Sequence, residues 1–320
     1  MNIRTLALVL CGCLAVAASR ASAQGTDLRI IAPSAPGTGW DQVAQTLRAA
    51  IAETHGLAVG VRNLPGGNGL VGLGQFLADP SDTELLVTGL TMLEATLLSR
   101  SSPDFGQLTP IARLSAEYYA LAVPANSPLK SPGDLATLLG SRPDKLTFGG
   151  GPAGGVDHVA VMLLGRALGL PAPLPNYVPF LSGSDARVAA AEEKVGAVIL
   201  ALGEVEPDVT AGRLRILGVT SAERLQGLEV PTLLEAGIPL EFANWRGVAA
   251  RAGLSPDQQA HLAALVYTAT LSTGWQEMLA ARRWTSAFLG PAPFQAFVRQ
   301  EHHRIKERLN SVGLLKRNRE

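Results

Sequence analysis

Short β-type runs alternate with helical stripes along most of the chain. Leu28-Arg29-Ile30-Ile31-Ala32 predicts a strand, and after it Val43, Leu47 and Ile51 recur at i, i+4 and i+8, the apolar stripe of a helix. Ala58 to Val61 predicts the next strand, Leu70, Leu73, Phe76 and Leu77 stripe the next helix, and Glu84 to Thr88 predicts a third strand. This β-α-β-α-β order implies a mainly parallel sheet covered by helices. A second series follows Ala120-Leu121-Ala122-Val123-Pro124, with strands at Lys145 to Phe148, Val195 to Leu200 and Leu214 to Val219 and a helix from about Asp157 to Leu168. Thr232-Leu233-Leu234-Glu235 is a capping-box pattern that predicts a short helix ended by Gly237. Trp245 to Ala250 is extended, and Ser255-Pro256 opens a helix striped by Leu262, Leu265, Val266 and Ala269. The last helix, through Phe294, Phe297, Val298, Ile305 and Leu309, is amphipathic and is expected to pack back across the first lobe.

Two lobes follow from this order, one from residues 26–122 plus 247–320 and the other from 123–246. Extended crossings near Leu121-Val123 and Trp245-Val248 would join them. Two connections make a hinge with a cleft between the lobes.

The first residues change the picture by placing the protein outside the cytoplasm. Arg4 gives a basic start, Leu6 to Ala18 is almost wholly apolar, and Ala21-Ser22-Ala23 is an A-x-A cleavage site. Residues 1–23 are therefore expected to be a cleaved signal peptide, since the apolar stretch is short of the about 20 residues a spanning helix needs. Leu10-Cys11-Gly12-Cys13 offers a poorer, lipoprotein-like alternative with Cys13 lipidated. Both cysteines of the chain lie in this segment, so the mature protein has no thiol and no disulfide. The segment also holds Arg4 and Arg20, two of the 27 basic residues, and none of the 27 acidic ones, so removing it leaves a small negative excess. No basic stripe precedes Lys316-Arg317-Asn318-Arg319, which excludes nucleic acid as a partner.

Candidate chemistry lies in the glycine loops. Pro33-Ser34-Ala35-Pro36-Gly37-Thr38-Gly39-Trp40-Asp41 and Asn63-Leu64-Pro65-Gly66-Gly67-Asn68-Gly69 each run from a strand into a helix. In a parallel sheet both sit at the carboxyl edge, where open α/β sheets bind ligands. Helix N-termini carry N–H groups without internal partners, and glycine lets an anion approach them. Pro36, Gly37, Thr38, Gly39, Gly66, Gly67, Asn68 and Gly69 are the candidates for this anion site, with Asp41 either capping its helix or contacting ligand. Gly67, Gly69 and Gly72 also spell G-x-G-x-x-G. A dinucleotide turn is disfavoured, because Asn63-Leu64-Pro65 separates strand from glycine and this is the second strand, not the first.

A third loop, Gly149 to Gly155, precedes His158, and Phe180-Leu181-Ser182-Gly183 makes a fourth turn. Gly154, Gly155, His158 and Ser182 are the candidates from the second lobe, with His158 alternatively a surface or capping residue. His302 and His303 are adjacent on a helix and read as a surface pair. There is no G-x-S-x-G or H-E-x-x-H motif for hydrolysis.

Several segments occur together in order: Pro33 to Asp41, Val61 to Gly69, Gly149 to Gly155, Ala211 to Thr220, Val230-Pro231-Thr232, Glu235-Ala236-Gly237 and Trp245-Arg246-Gly247. As a set they resemble the substrate-binding proteins of tripartite tricarboxylate transporters, the Bug family. The resemblance implies a periplasmic, type II Venus-flytrap binding protein of α/β class, monomeric, not an enzyme and without a cofactor or metal. It further implies a small di- or tricarboxylate ligand held by Gly37, Thr38, Gly39 and Gly66 to Gly69 through backbone N–H groups and water. Delivery would be to membrane permease subunits. A sensor that presents its ligand to a signalling partner shares every one of these features.

Overall fold

The computed structural model describes residues 27–79, 83–99, 103–170 and 175–311. The leader, its cleavage site, both cysteines and the Lys316–Arg319 cluster lie outside them. The first five elements are β1 (Leu28–Ala32), α1 (Gly39–His55), β2 (Val59–Asn63), α2 (Leu70–Ala78) and β3 (Glu84–Gly89). β1 pairs in parallel with both β2 and β3. The stripe of Val43, Leu47 and Ile51 is fully buried against Ile30, Leu85 and Val87, so the helical periodicity and the sheet bury each other's apolar faces.

After α3 (Leu90–Leu98) comes β4 (Leu108–Pro124), a strand of 17 residues that serves both halves of the molecule. Leu108 to Tyr118 pair antiparallel with β9 (Ala243–Arg251), whereas Tyr119 to Ala122 pair with β7 (Ala197–Ala201). The partner thus changes between Tyr118 and Tyr119. The chain returns through Phe242, whose N–H bonds to the Thr220 carbonyl, and enters β9 at Ala243.

The second half contains α4 (Pro132–Ser141), β5 (Thr147–Gly150), α5 (Val156–Ala167), β6 (Asn176–Pro179), α6 (Gly183–Ala191), then β7, α7 (Leu202–Thr210) and β8 (Leu214–Val219). β5 pairs in parallel with β6 and β7. One continuous order, β2-β1-β3-β9-β4-β7-β5-β6, results, with β8 and β10 (Thr285–Leu289) also on β4. Every antiparallel pair involves β4 or β9, the two crossing strands. The result is an α/β fold of two parallel regions with flanking helices, joined by crossing strands.

Thr232 to Gly237 forms a turn rather than a helix. The reciprocal bonds of the box are present, Thr232 N–H to Glu235 (2.9 Å) and Glu235 N–H to the Thr232 hydroxyl (3.0 Å), but Gly237 at φ 79° ends the segment after one turn. Ser255 does open α8 (Pro256–Thr270) through a full capping box, and α9 (Thr273–Arg282) follows. The final helix, α10 (Pro291–Ser311), lays Phe294, Val298, Ile305 and Leu309 into a core cluster that spans both halves and includes Leu93, Phe242 and Trp245.

Beneath α10 lies a buried acid. Glu94 is 8% exposed, and its pKa is pushed up to about 7 by burial, with Arg308 opposing and Glu301 reinforcing the shift. Folded protein therefore holds a proton that the unfolded chain releases near 4.5, so this group's favourable contribution is complete below pH 4.5 and declines as pH rises toward 7. Glu94→Gln should remove that dependence. Urea unfolding at pH 5 and pH 8 should show the variant gaining on wild type by up to about 3 kcal/mol at the higher pH. An unchanged difference would count against the assignment.

Candidate functional site

The first two loops pack side by side because Asp41 and Asn63 bracket them. Asp41 Oδ2 accepts from the Gly37 N–H at 2.7 Å, while its Oδ1 accepts from Asn63 Nδ2 at 2.9 Å and Gln45 Nε2 at 3.2 Å. Asn63 Nδ2 also reaches the Ser34 carbonyl at 3.2 Å. Burial raises the Asp41 pKa, but these hydrogen bonds outweigh it, and the net shift is downward. Asp41 is thus the loop's internal brace. Thr38 is similarly occupied, bonding the Ser34 hydroxyl at 2.6 Å and the Ala35 carbonyl at 2.8 Å.

Asp41→Ala is expected to cost about 3 kcal/mol, the order of one or two charge-assisted bonds. Because the folded-state pKa is lowered, the loss relative to wild type should be full at neutral pH and shrink as pH falls below 3.8. Denaturant titrations at pH 7 and pH 3 check both points.

Gly66, Gly67, Asn68 and Gly69 are four consecutive residues at positive φ, forming a single 3-10 turn before α2. Only glycine and, less readily, asparagine adopt such a run. Two carbonyls of the run are spent locally: that of Gly66 accepts from the Gly69 N–H and that of Gly67 from the Leu70 N–H. The N–H groups of Gly67 and Asn68, like those of Gly39, Trp40 and Asp41 in the first turn of α1, have no protein acceptor among the described residues. Gly69 differs from Gly67 in its surroundings. A Cβ on it would lie 2.9 Å from both Met92 Cε and the Trp40 ring. Gly69 is therefore needed for packing.

Gly39 meets a side chain from the far end of the sequence. A Cβ there would lie 3.1 Å from Arg246 Nη2 and 3.3 Å from Nε. Arg246, on β9, is 7% exposed; Nη2 donates to Glu117 Oε2 at 2.7 Å, and the guanidinium lies 3.8 Å over the Trp284 ring. Glu117 also accepts from Trp284 Nε1 at 2.9 Å. Arg246 Nη1 is buried without a hydrogen-bond partner among the described residues. Unpaired buried donors are rare and costly, about 1–3 kcal/mol.

These residues line a cavity of about 630 Å³ between the two halves, with Glu117, Trp284 and Arg246 on one side and Asp157 and Glu204 on the other. Of the sequence-predicted residues, Gly39 lines this cavity; Pro36, Gly37, Thr38, Gly66, Gly67 and Asn68 are exposed and are not part of its lining. In sequence Arg246 stands within Trp245-Arg246-Gly247, where an arginine clamp is the rival to an anion site made of backbone N–H groups alone. Glu117, 129 residues away, gave no signal.

In the second half, Gly154 N–H donates to His158 Nδ1 at 2.9 Å, and Gly155 N–H to the Pro152 carbonyl. Accepting at Nδ1 leaves the neutral ring's proton on Nε2, and burial lowers the His158 pKa. The ring packs 4.4 Å from that of Tyr177. Ser182 caps α6 through Asp185 N–H. Gly154, Gly155, His158 and Ser182 are thus bonded within their own loops, and none of them lines the cavity. Asp157, named in the sequence only as a helix start, accepts from Gly151 N–H at 2.8 Å and lines the cavity. Among the described residues no cluster of acidic or histidine side chains could hold a metal, and no helix is long and apolar enough to cross a membrane. His303 pairs with Glu307 on the surface of α10.

Residues 43–314 match the tripartite tricarboxylate transporter family receptor. The chain belongs to this family. It is accordingly a periplasmic solute-binding protein of the Bug type and not an enzyme. A UPF0065 protein in the tcbD-tcbE intergenic region of Pseudomonas sp. (strain P51) is 30% identical over 232 residues, covering 70% of this chain and 67% of the relative. A solute-binding protein from Polaromonas superposes with a TM-score of 0.80 at 23% identity, covering 89% of this chain and 98% of that one. MatC of Rhodopseudomonas palustris, solved with bound malate, gives 0.66 at 25% identity, with coverages of 88% and 98%. A further R. palustris protein, solved with adipate, gives 0.73 at 24%, with coverages of 90% and 97%.

Proposed function

We propose that this receptor captures a small organic carboxylate between its two halves and delivers it to the permease subunits of a tripartite transporter. The observation that carries the reading is Arg246, nine-tenths buried with Nη1 unpaired, set against the N-terminal turn of α1. A guanidinium and a helix N-terminus together favour an anion. The ligand-bound relatives support the same class, since malate and adipate are both dicarboxylates. In this reading Gly39, Trp40 and Asp41 supply N–H groups with Arg246, and Gly67 and Asn68 supply a second set from the adjoining turn.

The binding lobes divide where β4 changes partner, at Tyr118 and Tyr119, and where the chain enters β9. The hinge is made of these two crossings, and closure brings α5 and α7 toward α1. The receptor acts as a monomer, exported by cleavage after Ala23. A thermal-shift panel of di- and tricarboxylates, amino acids and aromatic acids tests the class. Stabilisation by members of this panel, with compaction in small-angle scattering, is expected. No shift with any acid would remove the reading.

A further inference from the structure

The far wall of the cavity is acidic. Asp157 stands in the first turn of α5 and Glu204 in the first turn of α7, and both line the cavity opposite Arg246. The point where a Cβ on Gly183 would sit is 2.6 Å from Glu204 Oε2 and 3.3 Å from Asp157 Oδ2. The two oxygens therefore lie within about 6 Å of each other, close enough for each carboxylate to disfavour ionisation of the other. Their environments bear this out: burial and then Asp157 and Glu117 push the Glu204 pKa up to about 7, with Arg187 opposing. Asp157 is raised by burial and by Glu117, against the hydrogen bond from Gly151.

A dicarboxylate alone would bring more negative charge to this wall. Arg187 is paired with Asp208 and does not line the cavity, though its charge partly opposes the Glu204 shift. Glu117 is already committed to Arg246, Asn244 and Trp284. Arg282, an exposed residue at the rim, is the remaining lining cation. Glu204 accepts no hydrogen bond from the described residues. The cavity thus has a donor end, where buried Arg246 Nη1 lacks an acceptor among the described residues, and an acceptor end, where two carboxylates have no ion-pair partner among them.

We infer that the ligand is an aminocarboxylate, with its carboxylate at Arg246 and the start of α1 and its ammonium between Asp157 and Glu204. This rests on the carboxylate reading above and narrows it. Acid and amine of one small molecule satisfy both ends at once, and the cavity of about 630 Å³ holds such a ligand with room for water.

Matched pairs test the inference by titration calorimetry on the mature protein: aspartate against succinate, glutamate against glutarate, and 4-aminobutyrate against butyrate. The amine-bearing member of at least one pair should bind 10-fold or more tightly at pH 7, and Glu204→Gln should reduce that preference to about 3-fold or less. Proton linkage gives an independent readout. An ammonium beside Glu204 lowers its pKa, so binding at pH 7 should release protons, seen by repeating the titration in buffers of different ionisation enthalpy. Equal or tighter binding of every unaminated acid overturns the inference and leaves the carboxylate reading intact. So does proton uptake on binding of the aminated acid, or succinate binding that requires added Mg²⁺. If no acid of either kind binds, the carboxylate reading fails and this inference falls with it.

Discussion

Arg246→Met should weaken carboxylate binding by about 100-fold or more, equal to about 3 kcal/mol, the loss of one or two charge-assisted hydrogen bonds. The side chain is held from two directions, by Glu117 at 2.7 Å and by the Trp284 ring at 3.8 Å, so its guanidinium is fixed before any ligand arrives. Such preorganisation is what lets a single contact dominate affinity. The substitution also leaves Glu117 without its cation, though Trp284 Nε1 and Asn244 Nδ2 still donate to it. Some stability is therefore lost together with affinity. The double variant Arg246→Met/Glu117→Gln separates the two effects: stability should recover and binding should not. Arg246→Lys keeps the charge but not the planar fork or the stacking, and should recover only part of the affinity. Wild-type affinity in the double variant would mean that backbone N–H groups alone hold the anion.

The next largest effect is expected from a glycine packed against Trp40 and Met92. Gly69→Val should lower stability by about 3–5 kcal/mol, the sum of a β-branched residue forced to φ 94° and overpacking against Trp40 and Met92 at 2.9 Å. That is a large part of a typical domain's total. Gly67→Val is a different experiment. Its φ is 56°, yet the nearest atom, Leu70 Cβ, lies at 3.4 Å. This variant should fold with a loss of about 1–2 kcal/mol and bind poorly, because the turn that aims its N–H group is displaced. Thermal unfolding and calorimetry on both proteins decide between the roles. Full affinity in folded Gly67→Val would make it a turn former only.

Local periodicity carried the first half of the fold. Val43, Leu47 and Ile51 announce α1, and Ser255-Pro256 announces α8, because stripes and caps are interactions between near neighbours in sequence. β4 was legible only at its end. Pro110, Arg113 and Glu117 interrupt the apolar run from Leu108, and what makes those residues a strand is pairing with β9, some 125–145 positions later. β10 was missed for the same reason, since Thr285 and Ser286 gain their extended form by pairing with Ser115 and Ala116.

The candidate site divides in the same way. The glycine turns at α1 and α2 could be found because strand, loop and helix follow one another directly. Asp41 was correctly placed in the first turn of its helix, but its partner Asn63 comes from the next strand. Arg246, Glu117, Asp157 and Glu204 sit on four separate elements, and only the crossing of β4 and β9 between the halves brings them to one cavity. Isolated charges of this kind look in sequence like any surface residue.

A crystal structure of the mature protein with the tightest-binding acid of the panel tests the central claim most directly. The account predicts a carboxylate group within hydrogen-bonding distance of the Gly39 or Trp40 N–H and of the Arg246 guanidinium, between the two halves. A second cavity of about 640 Å³ lies elsewhere, lined by Leu93, Leu97, Phe105 and Val298 beside α10. A ligand bound there, with Arg246 still unpaired, would contradict it.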